Sequence, residues 1–167
     1  MSTNAPPAGS VEALLLQHQI DQLNAAYAAA LDEQRFDAWP EFFLPDAIYK
    51  VQARENFERG LPLALIDLES QGMMKDRVYG VTQTIFHAPY YMRHIVSPAQ
   101  VLSTDSGVIH AQANYAVFRT KPGGVSEVYN VGRYIDQIAH TEAGLKFSNR
   151  QCIYDSEMIL NSLIYPI

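Results

Sequence analysis

The chain contains a single cysteine, Cys152. No internal disulfide can form, and a reducing compartment is expected. No apolar run approaches the roughly 20 residues that a membrane-spanning helix needs. Basic residues are in the minority, with 12 Lys and Arg against 18 Asp and Glu and a formal net charge of -6. That balance excludes a nucleic-acid-binding surface, which requires clustered positive charge. It leaves room for a small anion in a local pocket. Residues 1–9 lack both the basic and the apolar segments of a secretory signal. They read as a flexible tail ahead of one domain over residues 10–167, and a cytoplasmic protein is expected.

The chemical signatures are equally sparse. There is no Gly-x-Ser-x-Gly elbow, no Gly-x-Gly-x-x-Gly turn and no P-loop. Gly123-Gly124 follows Lys121-Pro122 and reads as a hairpin turn. Cys152 lies in a strand pattern and is expected to act as a small core hydrophobe rather than a thiolate. A Rieske cluster needs paired Cys and His ligands, which one cysteine cannot supply. The 5 histidines, His18, His87, His94, His110 and His140, form no His-x-x-x-His pair. His87 and His94 are separated by Pro89 and do not share a helix face. No metal site is expected in this chain.

What is present is an apolar, aromatic-rich sequence, 48% hydrophobic with 10 Tyr and 7 Phe. A chain of this length can bury a substantial core. Ser10 is a plausible N-cap, with Glu12 in the first turn. Leu16, Ile20, Leu23, Tyr27 and Leu31 then recur on one helical face. A short helix is expected from Asp37, with Pro40 in its first turn and Trp39, Phe42 and Phe43 on its apolar side. Ala47 to Gln52 reads as a short strand, Arg54 to Arg59 as a loop, and Leu61 to Met74 as a helix weakened by Gly72 near its end.

The second half reads as four long strands, Tyr91–Val101, Val108–Arg119, Ser126–Ile138 and Leu145–Tyr154. Their separators, such as Thr104-Asp105-Ser106-Gly107, carry turn chemistry. Ile109, Ala111, Ala113, Tyr115 and Val117 alternate with a mostly polar set, as in a sheet with one face on the core. Helices followed by a meander give an α+β fold, a curved and mostly antiparallel sheet wrapped around the amino-terminal helices.

Acid–base chemistry is the main possibility for an active site. Tyr27, Asp32, Asp46, Tyr49 and His94 are the candidates, with His94 paired to Asp32 or Asp46. Each also has a plain structural role as a helix end, turn former or core residue. Arg93 and Arg133 lie in strands and need carboxylate partners if buried; Asp136 and Asp155 are the candidates. Tyr134 and Tyr154 add aromatic area to a core or an interface.

An ordered set of features spans Leu23 to Ile167. It runs through Tyr27 with Leu31-Asp32, Trp39 with Phe42-Phe43, Asp46 with Tyr49, Glu55-Asn56 and Asp76-Arg77-Val78. It continues with Arg93-His94-Ile95-Val96, Gly132-Arg133-Tyr134-Ile135-Asp136, and Leu145-Lys146-Phe147 leading to Arg150 and Tyr154-Asp155. This set resembles the small (β) subunit of Rieske-type aromatic-ring hydroxylating oxygenases. Phe147 stands where many relatives carry Trp, a departure that bears on packing only. The overall pattern, including the short ending Leu163 to Ile167, is most similar to the branch acting on aromatic acids such as salicylate, terephthalate or anthranilate.

The resemblance implies a cone of the nuclear-transport-factor-2 and cystatin-like kind, with no cofactor in this chain. It implies a larger α subunit holding a Rieske [2Fe-2S] cluster and mononuclear Fe(II), commonly with three copies of each chain. Electrons would come from NAD(P)H through a reductase, directly or by way of a ferredoxin. Arg93, His94, Arg133, Tyr134 and Asp136 are then the candidates for ordering strands or contacting neighbouring subunits. The same fold houses stand-alone acid–base enzymes and ligand-binding proteins, so two rivals remain. One is an isomerase- or dehydratase-like enzyme using His94, Asp32 and Asp46, and the other is a binding protein with a closed apolar cone.

Overall fold

A computed structural model describes residues 6, 7, 9–158 and 162–167. Of the expected flexible tail, residues 1–5 and 8 lie outside the described residues. Helix α1 (Val11–Asp32) opens on Ser10, whose hydroxyl accepts from the Ala13 N–H at 3.1 Å. Ile20, Leu23, Tyr27 and Leu31 on its apolar face are buried, and Asn24 is buried among them. A 3-10 segment (Phe36–Phe42) follows and buries Phe36, Trp39 and Pro40.

Strand β1 (Phe43–Ala53) begins earlier than the expected Ala47. Pro45 and Asp46 fall in a register irregularity between Phe43 and Ile48, where a missing N–H is tolerated. Residues 54–59, read as a loop, contain helix α2 (Arg54–Glu58). Its support is electrostatic. Arg54–Glu58 at 2.9 Å and Arg59–Glu55 at 2.7 Å are ion pairs one turn apart, which leave no apolar periodicity to read.

The helix expected over Leu61–Met74 is also corrected. Pro62 lies in an irregular stretch, Ile66–Leu68 forms β2, and α3 spans Gln71–Tyr79. Ser70 caps α3 by accepting from the Met73 N–H at 3.2 Å, so Gly72 lies in its first turn rather than near its end. A single π-type turn (Gly80–Thr84) extends α3.

Strands β3 (Tyr91–Val96) and β4 (Gln100–Asp105) replace the single strand expected over Tyr91–Val101. The break is Ser97-Pro98-Ala99. Pro98 has no N–H, and the Ala99 N–H turns away to Asp21 Oδ1 at 2.9 Å. Strands β5 (Val108–Thr120), β6 (Ser126–Thr141) and β7 (Gly144–Tyr154) complete the sheet. The order is β2-β1-β7-β6-β5-β3, with β4 also on β5. All pairings are antiparallel except β1 with β7, which is parallel. Ser106 and Gly107, both with positive φ, form the tight β4–β5 turn. Bulges at Val117/Phe118 and Gln137/Ile138 bend the long strands, so that the sheet curves around α1.

The inner face carries Ile109, Ala111, Ala113, Tyr115 and Val117, all buried as the alternation requires. Tyr27, Tyr49, Tyr134 and Cys152 fill the interior with Trp39, Phe43 and Phe147. Burial pushes the Tyr27, Tyr49 and Tyr134 hydroxyls well above the usual phenol range, and the Cys152 thiol up to about 12. The unfolded chain releases these protons first, from roughly pH 8.5 for cysteine and pH 10 for tyrosine. The native state therefore holds more protons on the alkaline side, and stability falls as pH rises. Between about pH 7 and about pH 8 urea midpoints should be level, and they should decline steadily above that. Replacing Cys152 with Ala should flatten the early part of that decline.

Gly132 sits at a close approach of the β6 and β7 backbones. A Cβ there would fall on the Ile153 carbonyl and the Tyr154 Cα, both backbone atoms that cannot swing aside. Gly132→Ala should cost about 3 kcal/mol or more in a urea titration. A loss within measurement error would mean that the two strands can separate locally at no cost.

Candidate functional site

Two polar constellations lie between α1 and the sheet. The first joins the carboxyl end of α1 to the outer edge of β3. Asp32 places both carboxylate oxygens on the backbone N–H of His94, at 3.1 and 3.0 Å. Its Oδ1 also lies 2.6 Å from His94 Nδ1. A carboxylate can only accept, which puts a proton on Nδ1. The His94 side chain is fully buried, and its Nε2 has no partner among the described residues. Arg93 points outward with its side chain 73% exposed, and its guanidinium lies 3.8 Å from Asp32. Asp21, farther back on α1, accepts from the Ala99 N–H and from the Gln17 side chain. Between helix and strand edge runs an open groove of about 550 Å³, lined among others by Asp21, Ala25, Ala29, Arg93 and Ile95.

The second constellation is the buried centre. Arg150 on β7 and Asp136 on β6 are direct cross-strand partners. Arg150 Nε donates to Asp136 Oδ1 at 2.9 Å and Nη2 donates to Oδ2 at 2.8 Å, a bidentate pair with no solvent exposure at Arg150. Nη2 also donates to Asn24 Oδ1. The guanidinium carbon lies 3.9 Å from the Phe147 ring centroid, 4.0 Å from that of Tyr134 and 4.4 Å from that of Tyr27. Burial pushes the Asp136 carboxyl above its ordinary range, against the pull of the guanidinium. Burial also works against the charge on Arg150, and the Asp136 carboxylate more than offsets it.

The expected site residues are thus distributed unevenly. His94 and Asp32 are brought together. Asp46 is not; it lies exposed in the irregular start of β1. Tyr27 and Tyr49 meet at one point, both donating to the Ile167 carbonyl, at 2.7 and 3.0 Å. The carboxylates expected to serve Arg93 and Arg133 are engaged elsewhere, Asp136 with Arg150 and Asp155 with Arg54 at 3.1 Å. Arg133 lies half-buried, 5.9 Å from the centroid of the Phe57 ring. Tyr134 is fully buried and stacks on Tyr115 at 4.4 Å, so it contributes to the protomer core.

Arg150, Asn24 and Asp21 were not singled out as site residues. The signal for Asn24 was its place on the apolar face of α1, one residue after Leu23. Among the described residues no group of three or more His, Cys, Asp or Glu is arranged to hold a metal ion, and no helix is long and apolar enough to cross a membrane.

Residues 26–161 match the model of the ring hydroxylating beta subunit family. The chain belongs to that family. The β subunit is 32% identical to the anthranilate 1,2-dioxygenase small subunit of Burkholderia cepacia, over 89% of this chain and 92% of that protein. It is 28% identical to subunit beta 1 of the terminal oxygenase component of terephthalate 1,2-dioxygenase from a Comamonas species, over 89% and 97% of the two chains. Among solved structures it is similar to a β subunit from Novosphingobium aromaticivorans assigned to the aromatic-ring-hydroxylating dioxygenases. That match has a TM-score of 0.85 and 35% identity, covering 93% of this chain and 99% of the other. The nuclear-transport-factor-2-like fold expected from sequence is the one observed. The chain is a component of a multi-subunit oxygenase, and these relatives do not favour a stand-alone isomerase or dehydratase.

The buried pair of this β subunit can be tested directly. Arg150→Met leaves the Asp136 carboxylate buried without a partner and should cost about 3–5 kcal/mol. Adding Asp136→Leu should recover most of that loss. Urea midpoints of the two single variants and the double variant give the coupling; additive losses would show that the pair does not act as a unit.

Proposed function

We propose that this β subunit is a non-catalytic structural component. It would assemble with a larger α subunit that carries the Rieske [2Fe-2S] cluster and mononuclear Fe(II), commonly as three copies of each chain. NAD(P)H would supply electrons through a reductase, directly or through a ferredoxin, in the cytoplasm. Residues 10–167 would act in it as one domain.

One geometric observation carries this assignment: the interior of the cone is already full. An acid–base enzyme of this shape would keep a pocket there. Here Tyr27, Tyr49, Tyr134, Trp39 and Ile167 occupy that space, all with no exposed surface. Tyr27 and Tyr49 are engaged by the Ile167 backbone and Arg150 by Asp136 and Asn24, although the Tyr134 hydroxyl has no partner among the described residues. His94 and Asp32 have the spacing of an acid–base pair, yet the same carboxylate is committed to the backbone of β3. That is a structural use.

The aromatic acids named for the relatives, anthranilate and terephthalate, make an aromatic acid the preferred substrate class of the complex. The substrate would bind in the partner subunit. On the outward face, exposed Tyr91, Ile95, Val128 and Val131 surround the register positions of Arg93 and Phe118. Arg93 and Arg133 are the proposed contact residues on that face. His94, Tyr134 and Asp136 would act indirectly, by ordering the strands that present it. Obligate interfaces of this kind are large and comparatively apolar.

Native mass and iron analysis test this assignment, on the chain alone and after co-expression with a large oxygenase subunit encoded beside it. The chain alone should be iron-free, and co-expression should yield a larger iron–sulfur complex. Ile95→Glu should lower the yield of that complex without shifting the melting temperature of the isolated chain. A small oligomer that turns over substrate by itself and ignores the large subunit would overturn the assignment.

A further inference from the structure

Residues Ser162–Ile167 form neither helix nor strand, yet Leu163, Tyr165, Pro166 and Ile167 are buried. Among the described residues, their backbone is held by side chains rather than by other backbone groups. Tyr129 on β6 donates to the Ser162 carbonyl. Arg77 on α3 donates from Nη2 to the carbonyls of Leu163, at 3.1 Å, and Ile164, at 2.7 Å. The Tyr90 hydroxyl receives the Tyr165 N–H at 3.4 Å. The Tyr49 hydroxyl accepts from the Ile167 N–H at 2.9 Å and donates to its carbonyl at 3.0 Å. Tyr27 and Cys152 reach the same carbonyl oxygen, at 2.7 and 3.4 Å.

The side chains are received in the same manner. The Tyr165 ring lies against Tyr90 at 4.4 Å and Phe36 at 4.7 Å, and its hydroxyl is 2.8 Å from His87 Nε2. Among the described residues, every partner comes from the body of the fold and no ladder bond contributes. Capture of a segment by converging side chains, with aromatic walls for one anchor residue, is a mode of peptide recognition distinct from strand addition, in which main-chain bonds hold the ligand.

We propose that the mouth of the cone is a peptide-binding site whose resident ligand is the segment Ser162–Ile167. The segment keeps the interior shut against small molecules, and the site recognises it in trans as well as in cis. The interior polar groups Tyr27, Tyr49 and Cys152 then serve as receptor groups for the backbone of Ile167.

The test uses a chain ending at Asn161 and a synthetic peptide with the sequence of Ser162–Ile167. The shortened chain should melt lower than the full chain and take up the apolar dye ANS. The peptide should bind it, raise its melting temperature and displace the dye. Tyr49→Phe in the shortened chain should weaken peptide binding by roughly tenfold, and Tyr165→Ala in the peptide by more. A folded shortened chain that does not bind the peptide would overturn the proposal. Should the shortened chain fail to fold, amide exchange on the full-length Tyr49→Phe variant decides. Exchange at Tyr165 and Ile167 that precedes exchange in β5 to β7 supports a separable ligand. Exchange at one common rate makes the segment part of the core and overturns it.

Discussion

The pairing of Arg150 with Asp136 is the interaction on which the rest of the interior depends. Two opposite charges sit side by side on neighbouring strands, under a helix and inside a ring of aromatic side chains. Burying them is costly, and only good geometry with further hydrogen bonds offsets the cost. That requirement propagates outward. Asn24 must face the guanidinium, which fixes the rotation of α1 about its axis. Tyr27, Tyr134 and Phe147 must offer ring faces, which fixes the relative placement of α1, β6 and β7. Apolar contacts alone tolerate sliding of a helix on a sheet; this pair does not.

A second constraint acts at the edge of the sheet. An open edge strand presents unpaired amides that invite pairing with other chains. Here α1 covers that edge, with Asp32 on the His94 amide and Asp21 on the Ala99 amide. Asp32 acts before the Ser97-Pro98-Ala99 break and Asp21 within it, where ladder pairing is interrupted. His94 therefore has its ring oriented by the residue that also blocks its own backbone amide. Asp32 and His94 both line the open groove beside α1, yet their contact is a fastening between helix and strand.

The fold class was legible because the two periodicities are strong. The stripe from Leu16 to Leu31 and the alternation from Ile109 to Val117 each place one face on the core. The family was legible from an ordered series of short features. The middle of the chain was harder to read. Helix α2 has no apolar stripe, and the Leu-rich run from Leu61 to Leu68 supports a coil and a short strand whose partner, β1, is set by tertiary pairing. The break at Ser97–Ala99 carried a signal in Pro98, but its cause, an aspartate from a distant helix, did not. The His94–Asp32 contact was legible as a candidate pair, and Asp46 was an equal candidate because nothing local separates two aspartates that each follow a helix. Arg150 and Asp136 were separately visible, but a cross-strand pair shows itself only once register is known.

The parallel pairing of β1 with β7 bears on when this protein can exist at all during synthesis. Tyr49 takes Arg150 as its neighbour in the sheet, and β2 has only β1 beside it. Strands β1 and β2 therefore have no place in the sheet until β7 has been made, while β3 to β6 can already pair through short turns and α1 can already reach β3 through Asp32. Non-local pairing of this kind is slow, because the chain entropy of closing a long loop comes before any contact rewards it. The buried charge pair and the β1–β7 pairing are completed last, because both need β7. A nascent chain thus has neither its buried charge pair nor a seat for β1 and β2 before β7 has left the ribosome.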